Sequence, residues 1–203
     1  MTAAGLLLAA GAGRRMGRPK ALLTDEDGRP LAGTVVERLR EAGCASVTVV
    51  VGAAAEEATA LLRAYDVEVV VAQDWATGMG ASMRRGLEAL AGSRATAALV
   101  TLVDLPDVGA PVMARVLGEW RAAGSRESAL LRATYAGRPG HPVLIGRTHW
   151  PALRETLEGD AGARRYLADH AGEVVAVPCD DLATGEDVDR PEQLRRPVPP
   201  DPA

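Results

Sequence analysis

The stretch Leu8-Ala9-Ala10-Gly11-Ala12-Gly13-Arg14-Arg15-Met16-Gly17-Arg18-Pro19-Lys20 joins small residues to cations directly after an apolar run, Gly5–Ala9. Small side chains let main-chain N–H groups close around an anion. An arginine grips phosphate oxygens with a planar fork, and a lysine adds a compact point charge. Two cations at this spacing can therefore reach different phosphates of one triphosphate. Arg14 and Arg15 are equally placed for the first role, and Lys20 takes the second. Lys20 also stands out by composition: 22 of the 23 basic residues are Arg, and it is the only Lys. Phe and Asn are absent and Ile145 is the only isoleucine, a bias of the kind GC-rich coding produces. Under that pressure a surface lysine drifts to arginine, whereas an ammonium in a tight phosphate site is not interchangeable with a guanidinium.

Two well-known phosphate loops fail on these residues. A Walker A loop needs Gly before its Lys and Ser or Thr after it, but Pro19 and Ala21 stand there. A dinucleotide fingerprint needs a third Gly where Met16 stands, and an acidic residue near Val51-Gly52-Ala53, where there is none. A dehydrogenase is disfavoured.

Other groups suited to polar chemistry recur along the chain. Asp104 follows the apolar run Ala97–Val103, where a carboxylate can hold magnesium across substrate phosphates. Gly78-Met79-Gly80-Ala81-Ser82 reads as a helix start with Ser82 in its first turn, suited to anion or ribose contacts through Gly78 and Ser82. Asp187 and Asp189 share one side if the chain there is extended. Arg84 and Arg85 read as a solvated face, and His149 and His170 as surface residues. Cys44 and Cys179 lack metal or redox spacing and read as free thiols.

Positioning these groups requires alternating strands and helices. Strands are expected at Gly5–Ala9, Val47–Val51, Val67–Val71, Ala97–Val103, Ala129–Thr134, Pro142–Ile145 and Val174–Val177. Helices are expected at Pro30–Ala42, Glu56–Tyr65, Gly80–Leu90, Ala110–Ala122 and Ala161–His170, with a short one opening at Pro191–Leu194. A polar turn, Arg138-Pro139-Gly140-His141, separates two strands. The pattern predicts a Rossmann-like open, mostly parallel α/β sheet with helices on both faces and one antiparallel interruption. Ligands then bind at loops 10–20, 72–80, 104–109 and 178–190, beyond the strands' carboxyl ends.

The 203 residues suit one domain, read as 1–196, followed by a disordered tail at 197–203 with four prolines. A formal net charge of −4 argues against nucleic acid as a partner. No apolar run is long enough to span a membrane, and no signal peptide precedes the first strand, so the expected location is the cytoplasm.

The first loop resembles the pyrophosphorylase-type signature Leu-x-Ala-Gly-x-Gly-x-Arg-Met-Gly-x-x-Lys through Gly11, Gly13, Arg15, Met16, Gly17 and Lys20. The segment Gly78–Leu87 resembles Gly-Met-x-x-Ser-Leu-x-x-Gly-Leu, and Gly140–Val143 resembles Gly-His-Pro-Val. Gly159–Arg164 is similar to Gly-Asp-x-Gly-Ala-Arg, and Asp187–Glu192 to Asp-Ile-Asp-Thr-Pro-Glu. Together they cover residues 5–195 and resemble the MobA/MocA-like NTP transferases, in particular the molybdopterin cytidylyltransferase branch.

The resemblance implies the nucleotide-diphospho-sugar transferase type of fold and a Mg2+-dependent transfer of CMP from CTP to molybdopterin, releasing pyrophosphate. It makes Arg15 the family's arginine, with Arg14 as its neighbour, and makes Arg15, Lys20 and Asp104 catalytic. Nucleotide contacts fall to Leu8, Ala9, Ala10, Gly11, Gly13, Arg14, Gly17, Lys20, Gly78 and Ser82. Asp104 and Asp189 become metal ligands, and His141 and Asp160 acceptor-binding residues. A molybdoenzyme or its chaperone would be the downstream partner. The Leu-Ala-Ala-Gly opening is the form associated with CTP, while Leu105 and Asp74 depart from the family's Gln and Asn-like residues. The alternatives are a guanylyl- or sugar-phosphate nucleotidyltransferase and a catalytically silent nucleotide-binding module.

Overall fold

The computed structural model describes residues 1–25 and 28–188. Asp189, the expected helix at Pro191–Leu194 and the segment 197–203 lie outside the described residues. Among the described residues one sheet of seven strands organises the chain: β1 (Ala3–Leu8), β2 (Ser46–Val51), β3 (Glu68–Val71), β4 (Ala97–Leu102), β5 (Leu130–Tyr135), β6 (Arg138–Gly146) and β7 (Val174–Pro178). Their spatial order is β3-β2-β1-β4-β6-β5-β7. β1 runs parallel to both β2 and β4, and β6 alone runs against its neighbours β4 and β5. The chain turns from β1 toward β2 on one side and meets β4 on the other, so the crevice between β1 and β4 is the topological switch point.

All six residues of β1 are buried because helices cover both faces. Leu7, Val49 and Leu99 pack with α1 (Leu31–Glu41), α2 (Ala55–Leu62) and α4 (Ala110–Ala122). Leu6, Leu8, Ala98 and Ile145 pack with α3 (Met79–Ala91), α5 (Trp150–Thr156) and α6 (Arg164–Asp169). α1 ends as its sequence dictates. Gly43 takes φ +97°, and the amide of Cys44 returns to the carbonyl of Leu39 at 3.0 Å. No helix among the described residues is long and apolar enough to cross a membrane.

Three local expectations are corrected. Arg138–His141 is not a turn but the first part of β6. The turn lies at Ala136 and Gly137, both at positive φ, the geometry that joins antiparallel strands through two residues. The helix expected from Ala161 begins only at Arg164, because Gly162 at φ +52° interrupts the run and leaves Gly159–Ala161 as a 3-10 turn. His149, expected at the surface, is buried. Both its ring nitrogens are matched, Nδ1 lying 2.9 Å from the Tyr166 hydroxyl and Nε2 3.0 Å from the Ser128 carbonyl, which makes the burial tolerable. His170 is half-buried and stacks on Tyr166 with ring centres 4.1 Å apart.

Candidate active site

The exit of β1 is fixed by two main-chain bonds. The amide of Ala9 donates to Val50 O at 2.9 Å, and Ala10 O accepts from the amide of Ala53 at 3.0 Å. Beyond them the loop folds back until the amide of Lys20 donates to Gly11 O at 3.0 Å. Gly13 makes the fold-back feasible: its φ is +57°, and a Cβ there would lie 2.0 Å from the carbonyl oxygen of Arg18. Met16 anchors the far side by burying its side chain in the core. The amides of Gly11, Ala12, Gly13 and Arg14 donate to no partner among the described residues. All four residues line a cavity of about 350 Å³ at the β1–β4 switch point. Unspent donors along one wall form an anion cradle.

Opposite this loop, Val103 and Asp104 continue β4 into the cavity wall. Asp104 is only 7% exposed, and Lys20 Nζ donates to its Oδ2. The carbonyl of Asp104 in turn accepts from the amide of Val188 at 2.8 Å. α3 starts at the same cavity without a side-chain cap, and Ser82, 5% exposed, lies in its first turn and lines the wall. Gly78 lines the cavity too, but its lack of a side chain has a second cause. A Cβ at Gly78 would meet the carbonyl carbon of Gly159 at 2.3 Å, and one at Gly80 would meet Glu158 N at 2.9 Å. These glycines let the segment 157–160 dock on α3 and carry Asp160 to the rim.

Leu8, Ala9, Ala10, Gly11, Gly13, Arg14, Lys20, Gly78, Ser82, Asp104 and Asp160 thus meet around one space. Arg15 and Gly17 are exposed and lie outside the lining. His141 also stands apart, half-buried on β6. Burial, followed by repulsion from Arg132 and Arg164, holds its imidazole down at about 4. Arg132 is likewise lowered by burial and then by Arg164, and its Nε donates to Gly140 O at 3.1 Å. Among the described residues no carboxylate pairs with Arg132 or Arg164. Arg84 leaves its expected solvated face to donate to Leu157 O, whereas Arg85 stays exposed beside Glu88 at 2.8 Å. Leu105, in place of the family's Gln, is buried in the core.

The sequence reading missed Trp75 and Met79, which also wall the cavity. A tryptophan four residues beyond β3, in a polar loop at a strand's carboxyl end, is the signal that could have found the first.

An anion cradle at the switch point of an α/β sheet, facing a lysine–carboxylate pair, is the architecture of a protein that handles phosphorylated ligands. The chain belongs to the MobA-like NTP transferase family, whose domain model matches residues 5–175, and it is a nucleotidyltransferase by class. The resemblance read from Gly11, Gly13, Arg15, Met16, Gly17 and Lys20 and the expected α/β fold agree with this match.

The chain is 40% identical over 195 residues to nicotine blue oxidoreductase of Paenarthrobacter nicotinovorans, covering 95% of this chain and 94% of that one. Among solved structures it is similar to Rv0371c from Mycobacterium tuberculosis H37Rv, with a TM-score of 0.81, 29% identity and 96% of each chain covered. A complex of Rv0371c from the same organism with manganese matches at a TM-score of 0.69, with 28% identity and 88% of each chain covered.

Proposed function

We propose that this chain transfers CMP from CTP to an anionic, molybdopterin-type acceptor in a Mg2+-dependent reaction that releases pyrophosphate. The observation that carries this reading is the meeting of Lys20 with Asp104 opposite four unspent amides. An acceptor phosphate oxygen attacks the α-phosphorus of the nucleotide and forms a new P–O bond. The bond to the β-phosphate breaks, and its electron pair leaves with pyrophosphate. The loop amides and Lys20 balance charge that grows on the leaving group, and an ionised acceptor needs no protein base. Arg14 would reach the same phosphates from the cavity lining, and Arg15, outside that lining, keeps the catalytic role that the resemblance implies.

Asp104 fits a divalent cation of the magnesium type. Such an ion takes one or two carboxylates and completes its shell with phosphate oxygens and water. No cluster of three or more potential ligands exists among the described residues, which suits an ion held largely by substrate. The Lys20 ammonium already places positive charge against the Asp104 carboxylate. With triphosphate and ion bound, the Lys20 ammonium would lie against phosphate oxygens and the Asp104 carboxylate would be a ligand of the ion. When bound, the ion would neutralise phosphate charge. Asp189 supplies a second carboxylate in this reading, supported by the bond that holds its neighbour Val188 to Asp104. The solved complex of Rv0371c with manganese supports a divalent ion in general.

The acceptor's phosphate end would enter the nucleotide cavity beside Asp160 at its rim, and the rest of the acceptor would extend toward His141, the acceptor residue that the resemblance implies. For the base, Ala10 narrows the pocket by one methyl relative to glycine, which disfavours a purine by about 1–3 kcal/mol.

The test is pyrophosphate release with CTP, GTP and UTP, each with and without molybdopterin. Release with CTP that depends on molybdopterin is expected, and Ala10→Gly relaxes the preference over GTP. A clear GTP preference in the unaltered chain overturns the cytidylyl reading. The 40% relative favours a second reading, since its name makes it an oxidoreductase acting on nicotine blue. Loss of nicotine blue absorbance in the presence of a reduced nicotinamide nucleotide, without pyrophosphate release, would select it. The loop argues for nucleotidyl transfer instead. Among the described residues α1 begins at Leu31 and only the 3-10 turn Lys20–Leu22 precedes it, so no α-helix follows β1 closely enough to receive a dinucleotide's pyrophosphate.

A further inference from the structure

The three tryptophans of this chain separate by what their indole N–H groups do. Trp120 Nε1 donates to Arg126 O at 3.0 Å, and Trp150 Nε1 donates to Ile145 O at 3.0 Å. Both rings are buried in the core. Trp75 is half-buried, walls the cavity, and its Nε1 donates to no partner among the described residues. A large aromatic ring normally gains by completing its burial and satisfying its donor. This one is held short of both.

The restraint is visible in its surroundings. The amide of Trp75 donates to Ala72 O at 3.2 Å, and Trp75 O accepts from the amide of Gly78 at 3.1 Å, within the turn Trp75–Thr77. The indole rests over Gly52, where a Cβ would lie 2.5 Å from Trp75 Cγ and 2.9 Å from Ala10 Cβ. Gly52 has no positive φ to require glycine, so space for the indole is what its missing side chain provides. Trp75 is thus seated against Gly52 while it also contributes, with Ala10, to the wall that carries Gly11–Arg14 and Lys20.

We infer that Trp75, seated on Gly52, is a stacking platform for the nucleobase of the bound triphosphate. The inference rests on the triphosphate reading above and adds the subsite for the ring. One cavity then offers a cradle and a cation for a polyanion, and an aromatic face with a spare N–H donor for a planar heterocycle. A nucleotide has both parts. Stacking on an aromatic side chain is tolerant of base identity, because every base has a π-face. Trp75 therefore supplies affinity to CTP and GTP alike, while Ala10 governs the choice between them.

Binding of CTP and of inorganic tripolyphosphate, with magnesium present, separates the ring from the phosphate chain. Calorimetry on the unaltered chain is expected to give CTP an affinity at least about tenfold above tripolyphosphate. Trp75→Ala should remove most of that difference and leave tripolyphosphate binding unchanged, and Trp75→Phe should retain much of it. Gly52→Ala, which displaces the indole without removing it, should weaken CTP and spare tripolyphosphate, and it tests the seat independently if Trp75→Ala does not fold. Indole fluorescence should respond to CTP and not to tripolyphosphate, with the response lost in Trp75→Ala. Equal CTP affinity in Trp75→Ala and the unaltered chain overturns the inference alone. Failure of the unaltered chain to bind either ligand overturns the triphosphate reading and the inference with it. Weakened binding of a molybdopterin acceptor with CTP binding intact would assign the platform to the acceptor's ring and overturn it for the base.

Discussion

The main-chain amide of Val188 donates to the main-chain carbonyl of Asp104 at 2.8 Å, so the last described residue is fastened to the residue whose carboxylate accepts from Lys20 in the loop after β1. Further bonds secure the same segment. The amide and hydroxyl of Thr184 both donate to Asp107 Oδ2 at 2.6 Å, and Arg115 grips Asp181 with two bonds of 2.5 and 2.8 Å. The stretch after β7 is therefore a strap across the loop that follows β4.

That strap yields a prediction about the metal. Arg115→Ala releases Asp181 and Pro178 O without touching the cavity. It is expected to raise the magnesium concentration for half-maximal activity while leaving the nucleotide KM nearly unchanged. Asp104→Ala should cause the larger rise and Asp189→Ala an intermediate one, because Asp104 ends a buried strand. Magnesium titrations of the three variants decide this, and an unchanged midpoint in Asp104→Ala removes it from the metal site.

Lys20→Ala should lower turnover far more than stability. Losing one donor aimed at developing charge costs about 2.7–4 kcal/mol in the transition state, a factor of roughly 100–1000. Lys20→Arg should also be impaired, since a planar fork does not fit beside Asp104 as an ammonium does. Initial rates of pyrophosphate release, set beside thermal midpoints, check both. Wild-type turnover in Lys20→Ala would remove the assignment.

Gly13→Ala tests the shape of the loop. The added methyl would face Arg18 O at 2.0 Å on a backbone of positive φ, so the fold-back must open. A cost of about 1–3 kcal/mol is expected at such a position. Because Lys20 and the four amides hang on this fold-back, triphosphate affinity should fall with it. Calorimetry with tripolyphosphate and chemical denaturation measure the two losses separately.

His141 makes stability depend on pH. Its folded-state value of about 4 lies below the ordinary 6.5, first through burial and then through Arg132 and Arg164. As pH falls below 6.5 the unfolded chain takes up a proton that the native state refuses until about pH 4, so native stability declines across that window. Above pH 6.5 the contribution is intact. The decline should reach about 3 kcal/mol at the lower end. Denaturation curves between pH 7 and pH 4 should flatten in His141→Gln, and an identical slope in that variant would exclude this histidine as the cause.

The fold was legible wherever the apolar period was long and undiluted. Ala110–Ala122 and Val47–Val51 emerge almost as read, because each buries a face whose spacing is written in the chain. α5 was not legible: seven residues containing Pro151 leave too little period, and only the burial of Trp150 and Leu153 secures it. At the site, Lys20 and Asp104 could each be singled out, but their contact across 84 positions depends on the pairing of β1 with β4. Gly78 suggested a ligand because a glycine before a helix commonly does, and nothing local reveals that Gly159 rests there. Trp75 has no periodic partner at all, and its place depends on Gly52, a neighbour from the exit of β2.

The docking of residues 157–160 on the start of α3 limits how this site can change over time. Gly78 and Gly80 allow main chain to lie on main chain, so no side chain can be inserted between the two segments without prising them apart. The wall they share is inherited as one piece. Any new ligand of this cavity would have to be accommodated by exchanging projecting side chains such as Asp160, on a backbone path that drift leaves untouched.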